Sequence, residues 1–528
     1  MLFIRLALKT CNFFKFVPMI ALTACALAPG EAEDWALIPV SLYHSGYEKG
    51  TEIISVQQST MRAVLSNFDT GEVDILDISH PEHLQRIKRF KLQLIQGEEL
   101  TSVAFHPALD LFAATIDAGI KPGKLEIRSA SSGELVDQIY VGFGPDAVVF
   151  SDAGDLAMVA NEGEDFIFEP SNQRFYKPEG SVSIVRLKGD GQIKSHKNLE
   201  LANVINLEGF VVTQGARFLE RAIDWNGDGI ISKQIDFDGN GVIEKKKVVI
   251  GHFEGHEVFG LETKGEQKIL IPAKSHSLAL LEPEYIAISE DEKNAYVTLQ
   301  EDDAVAVVDL VNDQVIRYYR LGESQHMIDG KNDGWVKFDQ TMTGLREPDG
   351  IALVDHGHFF ITADEGDTDL DPDADNDHQP MSGSRTVSVF DATTGQLMGD
   401  SGNQIDEVAF INHVYPERRS NKKGSEPEML VSFDVGGVPY VGVSMERAGA
   451  IELISLQDIR HPKVIALGKI AGDEDKSPEG IAHFVSAGEH YLLSANELGG
   501  TVECFKLVHP FSRNQQPHMV SLTSPDVR

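Results

Sequence analysis

"LEPEYIAISEDEKNAYVTLQEDDAVAVVDLVNDQVIRYYR" (281–320) contains one complete folding unit. Its four runs, around Tyr285–Ile288, Ala295–Leu299, Ala304–Asp309 and Gln314–Arg320, alternate apolar and polar residues between short charged turns. That alternation is the mark of half-buried β-strands. The third run, "AVAVVDL" (304–310), recurs as "VDILDI" (73–78), "KLEIRS" (124–129), "SVSIVRL" (181–187), "TVSVFDA" (386–392), "AIELISL" (450–456) and "TVECFKL" (501–507). A second strand precedes each copy, for example "LAMVANE", "FFITADE" and "YLLSANE". Four-strand units repeated seven times predict an all-β fold, a seven-bladed β-propeller. The copies are spaced by 51 to 123 residues, and the longest gap leaves eight blades as the alternative. The opening "WALIPVSLYHS" (35–45) is suited to the outer strand of the last blade, closing the ring.

The first strand of most units begins with proline and an acid: "GPDAVVF" (144–150), "LEPEYIAIS" (281–289), "EPDGIALV" (347–354), "EPEMLVSF" (426–433) and "SPEGIAHF" (477–484). The second strand ends in another acid, sixteen to eighteen residues later. Antiparallel neighbours bring the start of one strand and the end of the next to the same face. Ten carboxylates are therefore expected around one channel mouth: Asp146, Glu162, Glu284, Glu301, Asp349, Glu365, Glu428, Glu446, Glu479 and Glu497. Such acids either staple backbone N–H groups of their own loops or face the channel. A converging set repels itself unless it is paired, protonated or bound to metal. Arg346, Arg385, Lys423 and Arg447 lie close by in sequence and are candidates for pairing, or for holding an anion.

The insertion after the third blade carries "DWNGDGIISKQIDFDGNGVIEKKK" (224–247). Asp224, Asn226, Asp228, Ile230 and Ser232 have the spacing of a calcium loop, and Asp236, Asp238, Asn240, Val242 and Glu244 repeat it. This resembles the EF-hand loop, whose hard oxygen ligands wrap one Ca²⁺. The closing position departs from it, being Ile235 in the first loop and Lys247 in the second. A second acidic run, Asp367, Asp369, Asp371, Asp373, Asp375 and Asp377, is a further calcium candidate, or else a solvated loop. "GDSG" (399–402) has no supporting triad pattern and reads as a turn.

The chain has 82 acidic and 46 basic residues among 528, a net charge of −36. With no basic stripe, a nucleic-acid partner is not expected, and cations are the natural counterparts. Arg5, Lys9 and Lys15 precede the apolar "FVPMIALTACALA" (16–28), which is too short to cross a bilayer and reads as an export signal. Cleavage after Ala32 gives free secretion, the favoured route; "LTAC" (22–25) alternatively suits a lipoprotein anchored through Cys25. No transmembrane segment is then expected in the mature chain. Its one cysteine would be Cys504, so no internal disulfide can form. The expected organisation is a signal at 1–32, a propeller at 35–510 with the insertion at 208–275, and a tail at 511–528.

Several segments together resemble the choice-of-anchor I family: "ANEGED", "AYVTLQEDDAVAVVDL", "TADEGD", "KKGSEPEML" with "MERAGAIEL", and "SPEGIAHF" with "SANELGGTVECFKL". The resemblance runs over roughly residues 37–508. It implies a secreted or surface-anchored seven-bladed propeller, related to a mesenchyme-specific cell-surface glycoprotein linked to biomineralisation. Some members are labelled alkaline phosphatases. The calcium-loop insertion is extra, and family members tend to carry Asn beside the acid in "VTLQEDD" and "TADEGD". Two functions follow as expectations. One is an exported calcium-binding module for a surface, matrix or phosphate-containing ligand. The other is a calcium-dependent phosphoesterase, with metal held by Glu284, Glu428 and Glu479 and phosphate oxygens by the four basic residues.

Overall fold

The computed structural model describes residues 35–47, 49–163, 167–169, 171, 174–201, 217–219, 248–253, 256–263, 266–271, 281–366, 381–472 and 476–508. Seven four-stranded antiparallel sheets form seven blades. Blades 1 to 6 span 51–91, 99–140, 145–200, 286–320, 351–400 and 427–469. Blade 7 takes three strands from 478–508, and its outer strand is Ala36–His44, paired antiparallel to Thr501–Val508. Closing the ring with the N-terminal strand joins the two ends of the described chain and leaves no open gap between first and last blades.

The second and third strands of each blade are buried on both faces, which explains their nearly continuous apolar runs. In Arg62–Asn67, Ala63 and Leu65 pack toward blade 7, while Val64 packs toward blade 2. Every neighbouring pair of blades shares one such cluster. Met158 and Ile184 of blade 3 meet Val297 and Ala306 of blade 4, and Ile361 of blade 5 meets Val441 of blade 6. Each buried Val, Leu, Ile or Phe adds about 1.5–3 kcal/mol. The core is therefore a ring of sheet-to-sheet contacts around a central channel.

Among the described residues, the long interval between blades 3 and 4 forms no eighth four-stranded blade. Its described residues belong to a six-stranded sheet that also recruits Ile167–Glu169 and Arg174–Tyr176, from the loop inside blade 3. A two-stranded hairpin, Glu323–Ile328 with Gln340–Leu345, lies between blades 4 and 5. One α-helix, Gln404–Ile411, lies between blades 5 and 6. "GDSG" directly precedes that helix and is structural: Asp400 accepts from Arg346, and Ser401 Oγ accepts from Val387 N–H.

Candidate functional site

The proline-acid starts have a shared geometry. In blades 1, 3, 6 and 7 the ladder between the first and second strands slips, between Thr51 and Ile54, Pro145 and Val148, Pro427 and Leu430, and Pro478 and Gly480. Glu52, Asp146, Glu428 and Glu479 sit in these bulges. A bulge adds a residue and re-aims its side chain. Proline, lacking an N–H, is tolerated at a strand's first residue. The residue just before is left-handed: Gly50 (φ 85), Gly144 (φ 54), Glu347 (φ 47), Glu426 (φ 55) and Ser477 (φ 44). A non-glycine residue there is strained by roughly 1–3 kcal/mol, and such strain persists only where its surroundings enforce it. Here they do. Glu347 Oε2 accepts from Ser382 Oγ and Gly383 N–H, Glu426 is held by Arg419 and Arg447, and Ser477 Oγ donates to Glu446.

The result is a polar cavity of about 250 Å³ at one mouth of the channel. Ten carboxylates line it: Glu52, Asp146, Glu162, Glu282, Glu284, Glu301, Asp349, Glu365, Glu428 and Glu479. No Lys, Arg or His is among the lining residues. Eight of the ten acids named from the sequence are here. Glu446 stands beside Glu365 and Glu426, and Glu497 acts electrostatically on Glu52 and Glu479, so all ten gather at one end of the channel. Two groups lining the cavity bring carboxylate oxygens within 4.8 Å of one another: Asp146, Glu162 and Glu284, and separately Asp349, Glu365 and Glu428.

The electrostatics divide this face in two. Toward blade 6, cations offset the acids. Lys423 Nζ is 2.7 Å from Glu365 Oε1, Arg447 is 2.7 Å from Glu446, and Arg419 and Arg447 both reach Glu426. Burial alone would lower the Lys423 pKa, but Glu365 and Glu426 outweigh it and raise the pKa above the ordinary lysine value. At the centre the acids are less compensated. Burial, then the neighbouring carboxylates, pushes Asp349, Glu428 and Glu479 well above the usual carboxylate range. Burial, reinforced by Asp146 and Glu497, lifts Glu52 to about 8. Glu446 reaches about 7 through burial, although Arg447 opposes the rise. Glu428 Oε2 is buried with no hydrogen-bond partner.

Lys177, 0% exposed, pairs with Glu282 at the edge of the cavity. Arg346 and Arg385 do not face it as an open anion platform. Arg346 is buried against Asp400, Ser388 and the Leu321 carbonyl. Arg385 is buried against Asp406 and the carbonyls of Asp329, Ser420 and Lys422. Lys423 and Arg447 are engaged by the acids already named. The calcium-loop residues Asp224, Asn226, Asp228, Ile230, Ser232, Asp236, Asp238, Asn240, Val242 and Glu244 lie outside the described residues, as does the aspartate run 367–377.

Sequence reasoning missed Glu52, Glu282, Gln300 and Tyr285 as cavity residues. Glu52 was hidden because "TEIISV" lacks the proline, although its acid holds the same bulge position. Gln300 donates to Glu365 from the turn after the second strand of blade 4. Tyr285 enters beside the acids; burial and the carboxylates of Asp349, Asp146, Glu52 and Glu428 raise its phenol well above its ordinary pKa.

Among proteins of curated function, none matches this sequence. Solved structures with a similar fold include the C-terminal WD40 domain of Sif2, at 9% identity and a TM-score of 0.44, covering 89% of this chain and 98% of that one. The β-propeller domain of Myceliophteria thermophila Cps50 (Swd1) is similar at 8% identity and a TM-score of 0.47, covering 89% and 100%. Residues 52–380 and 370–459 match the choice-of-anchor I domain, and the chain belongs to that family.

Proposed function

We propose that this protein is an exported propeller that binds divalent cations, calcium foremost, at the acidic channel mouth and acts as a surface or matrix binding module. The observation that carries the reading is the single cavity lined by ten carboxylates and no basic side chain. Calcium takes about six to eight oxygen ligands and tolerates irregular geometry. Two groups of three carboxylates within mutual reach, one of them containing the unpartnered Glu428 Oε2, supply oxygens of that kind. A bound cation would also offset the burial and the mutual repulsion that raise the pKa values of Asp349, Glu428 and Glu479. The tandem loops at 224–247 would add further calcium sites. The N-terminal stretch read as an export signal and the family membership both support a working environment outside the cytoplasm, where calcium is abundant.

The phosphoesterase reading loses support at its anion side, since the four basic residues meant for phosphate are committed to carboxylates and carbonyls. The test of the cation reading is thermal. Calcium at about a hundred times its dissociation constant stabilises a single native-state site by about 2.7 kcal/mol. Asp349→Asn combined with Glu428→Gln should remove the part due to the mouth, and Asp224→Ala combined with Asp236→Ala the part due to the loops. A parent protein whose unfolding is the same in calcium and in chelator would end the proposal.

A further inference from the structure

The opposite end of the channel has a different chemistry. The final residues of the innermost strands of blades 3 to 6 enclose a second cavity of about 450 Å³. Apolar side chains form part of its wall: Val149, Ile288, Leu353, Val431 and Phe433 contribute, four of the five only half-buried, between polar groups. Its rim is acidic. Asp152, Glu290, Asp355 and Asp434 are all exposed and lie at or just beyond the ends of the innermost strands. His356 is the one basic side chain among the lining residues, and its Nδ1 is 3.3 Å from Glu290. Asp152 and Asp434 form no ion pair among the described residues. The wall also contains Ser151, 2% exposed, whose Oγ has no hydrogen-bond partner.

We infer that this second mouth is a binding site for a small amphiphilic organic cation, its apolar body against Val149, Ile288, Leu353, Val431 and Phe433 and its ammonium head at the acidic rim. The volume falls within the range of small-molecule sites, roughly 300–1,000 Å³. Burying an aliphatic body is favourable in proportion to the apolar area removed from water. The rim selects the sign of the head. Four carboxylates around a low-dielectric wall favour a cation and penalise an anion of the same shape. An inorganic cation, by contrast, gains nothing from the apolar wall and would favour the carboxylate-lined mouth. The site is separate from the acidic mouth and does not depend on calcium binding there.

The test uses isothermal titration of the purified full chain at about pH 8, with calcium held constant. The probes are octyltrimethylammonium, octyl sulfate and tetramethylammonium, the first two below their micelle concentrations. Saturable one-to-one binding is expected for octyltrimethylammonium, with both other probes weaker by about tenfold or more. Leu353→Lys places a cation in the wall and should weaken binding by a further factor of about ten. Asp152→Asn combined with Asp434→Asn changes only exposed groups, so folding is preserved; it should weaken binding about threefold, less so at high salt. Equal binding of octyl sulfate, unchanged affinity in the rim variant, or absence of saturable octyltrimethylammonium binding would each overturn the inference.

Discussion

Glu452 has both carboxylate oxygens buried and without a hydrogen-bond partner, between Ile451 and Leu453 in the third strand of blade 6. Burial, with repulsion from Asp406, raises its pKa well above the usual value. A raised carboxyl pKa stabilises the fold fully below the unfolded-state value and loses that contribution as pH rises through the folded one. Glu452→Leu is therefore expected to raise stability by about 1–3 kcal/mol at neutral pH and by less at acidic pH, measured by denaturant unfolding. Lys423 should behave oppositely. Lys423→Met leaves Glu365 buried with only the Gln300 amide, and is expected to cost about 3–5 kcal/mol in calcium-free buffer. Calcium should recover part of that loss if the mouth takes a cation. At this scale the sequence was legible where a motif repeats and illegible where chemistry depends on burial. Asp349 and Glu428 announce themselves by the proline before them. Nothing beside Arg346 or Arg385 tells that carbonyls and carboxylates from distant loops enclose each guanidinium.

The innermost strands carry the site because those of blades 1, 3, 6 and 7 begin in a bulge and lie tightly against their neighbours. A Cβ at Gly480 would stand 2.4 Å from the Glu52 carbonyl, and one at Gly350 would stand 2.8 Å from the Glu428 carbonyl. Both obstacles are backbone, so neither can step aside as a flexible side chain would. Gly480→Ala is expected to destabilise by about 1–3 kcal/mol and to weaken calcium binding, because it spreads blades 7 and 1 where Glu479 and Glu52 meet. Calorimetry of the variant with and without calcium checks both effects. The strands themselves were readable from alternation, and so was the N-terminal strand's role in blade 7, because "WALIPVSLYHS" has no other partner nearby in sequence. The six-stranded sheet was not readable. Its segments come from two loops on either side of a pair of blade strands, and no periodicity links Arg174–Tyr176 to Val248–Phe253, which pair in parallel.

As a whole, the molecule is a ring of seven apolar interfaces around a channel with one carboxylate-lined mouth and one of mixed polar and apolar lining. Converging carboxylates at the first mouth make stability depend on pH. With Glu52 at about 8 and Glu446 at about 7, against 4.5 for an unperturbed glutamate, both groups favour folding at low pH and lose that contribution as pH rises through 7 and 8. Calorimetry in calcium-depleted buffer should show the unfolding temperature falling between roughly pH 5 and pH 8, and calcium should flatten that slope.

The most direct test of the central claim is calcium stoichiometry by isothermal titration, comparing the parent with two variants. The reading predicts that Asp224→Ala with Asp236→Ala retains at least one site, and that adding Asp349→Asn and Glu428→Gln to it abolishes that site while the β-rich circular dichroism spectrum persists. Identical residual calcium binding in both variants would contradict a cation at the channel mouth.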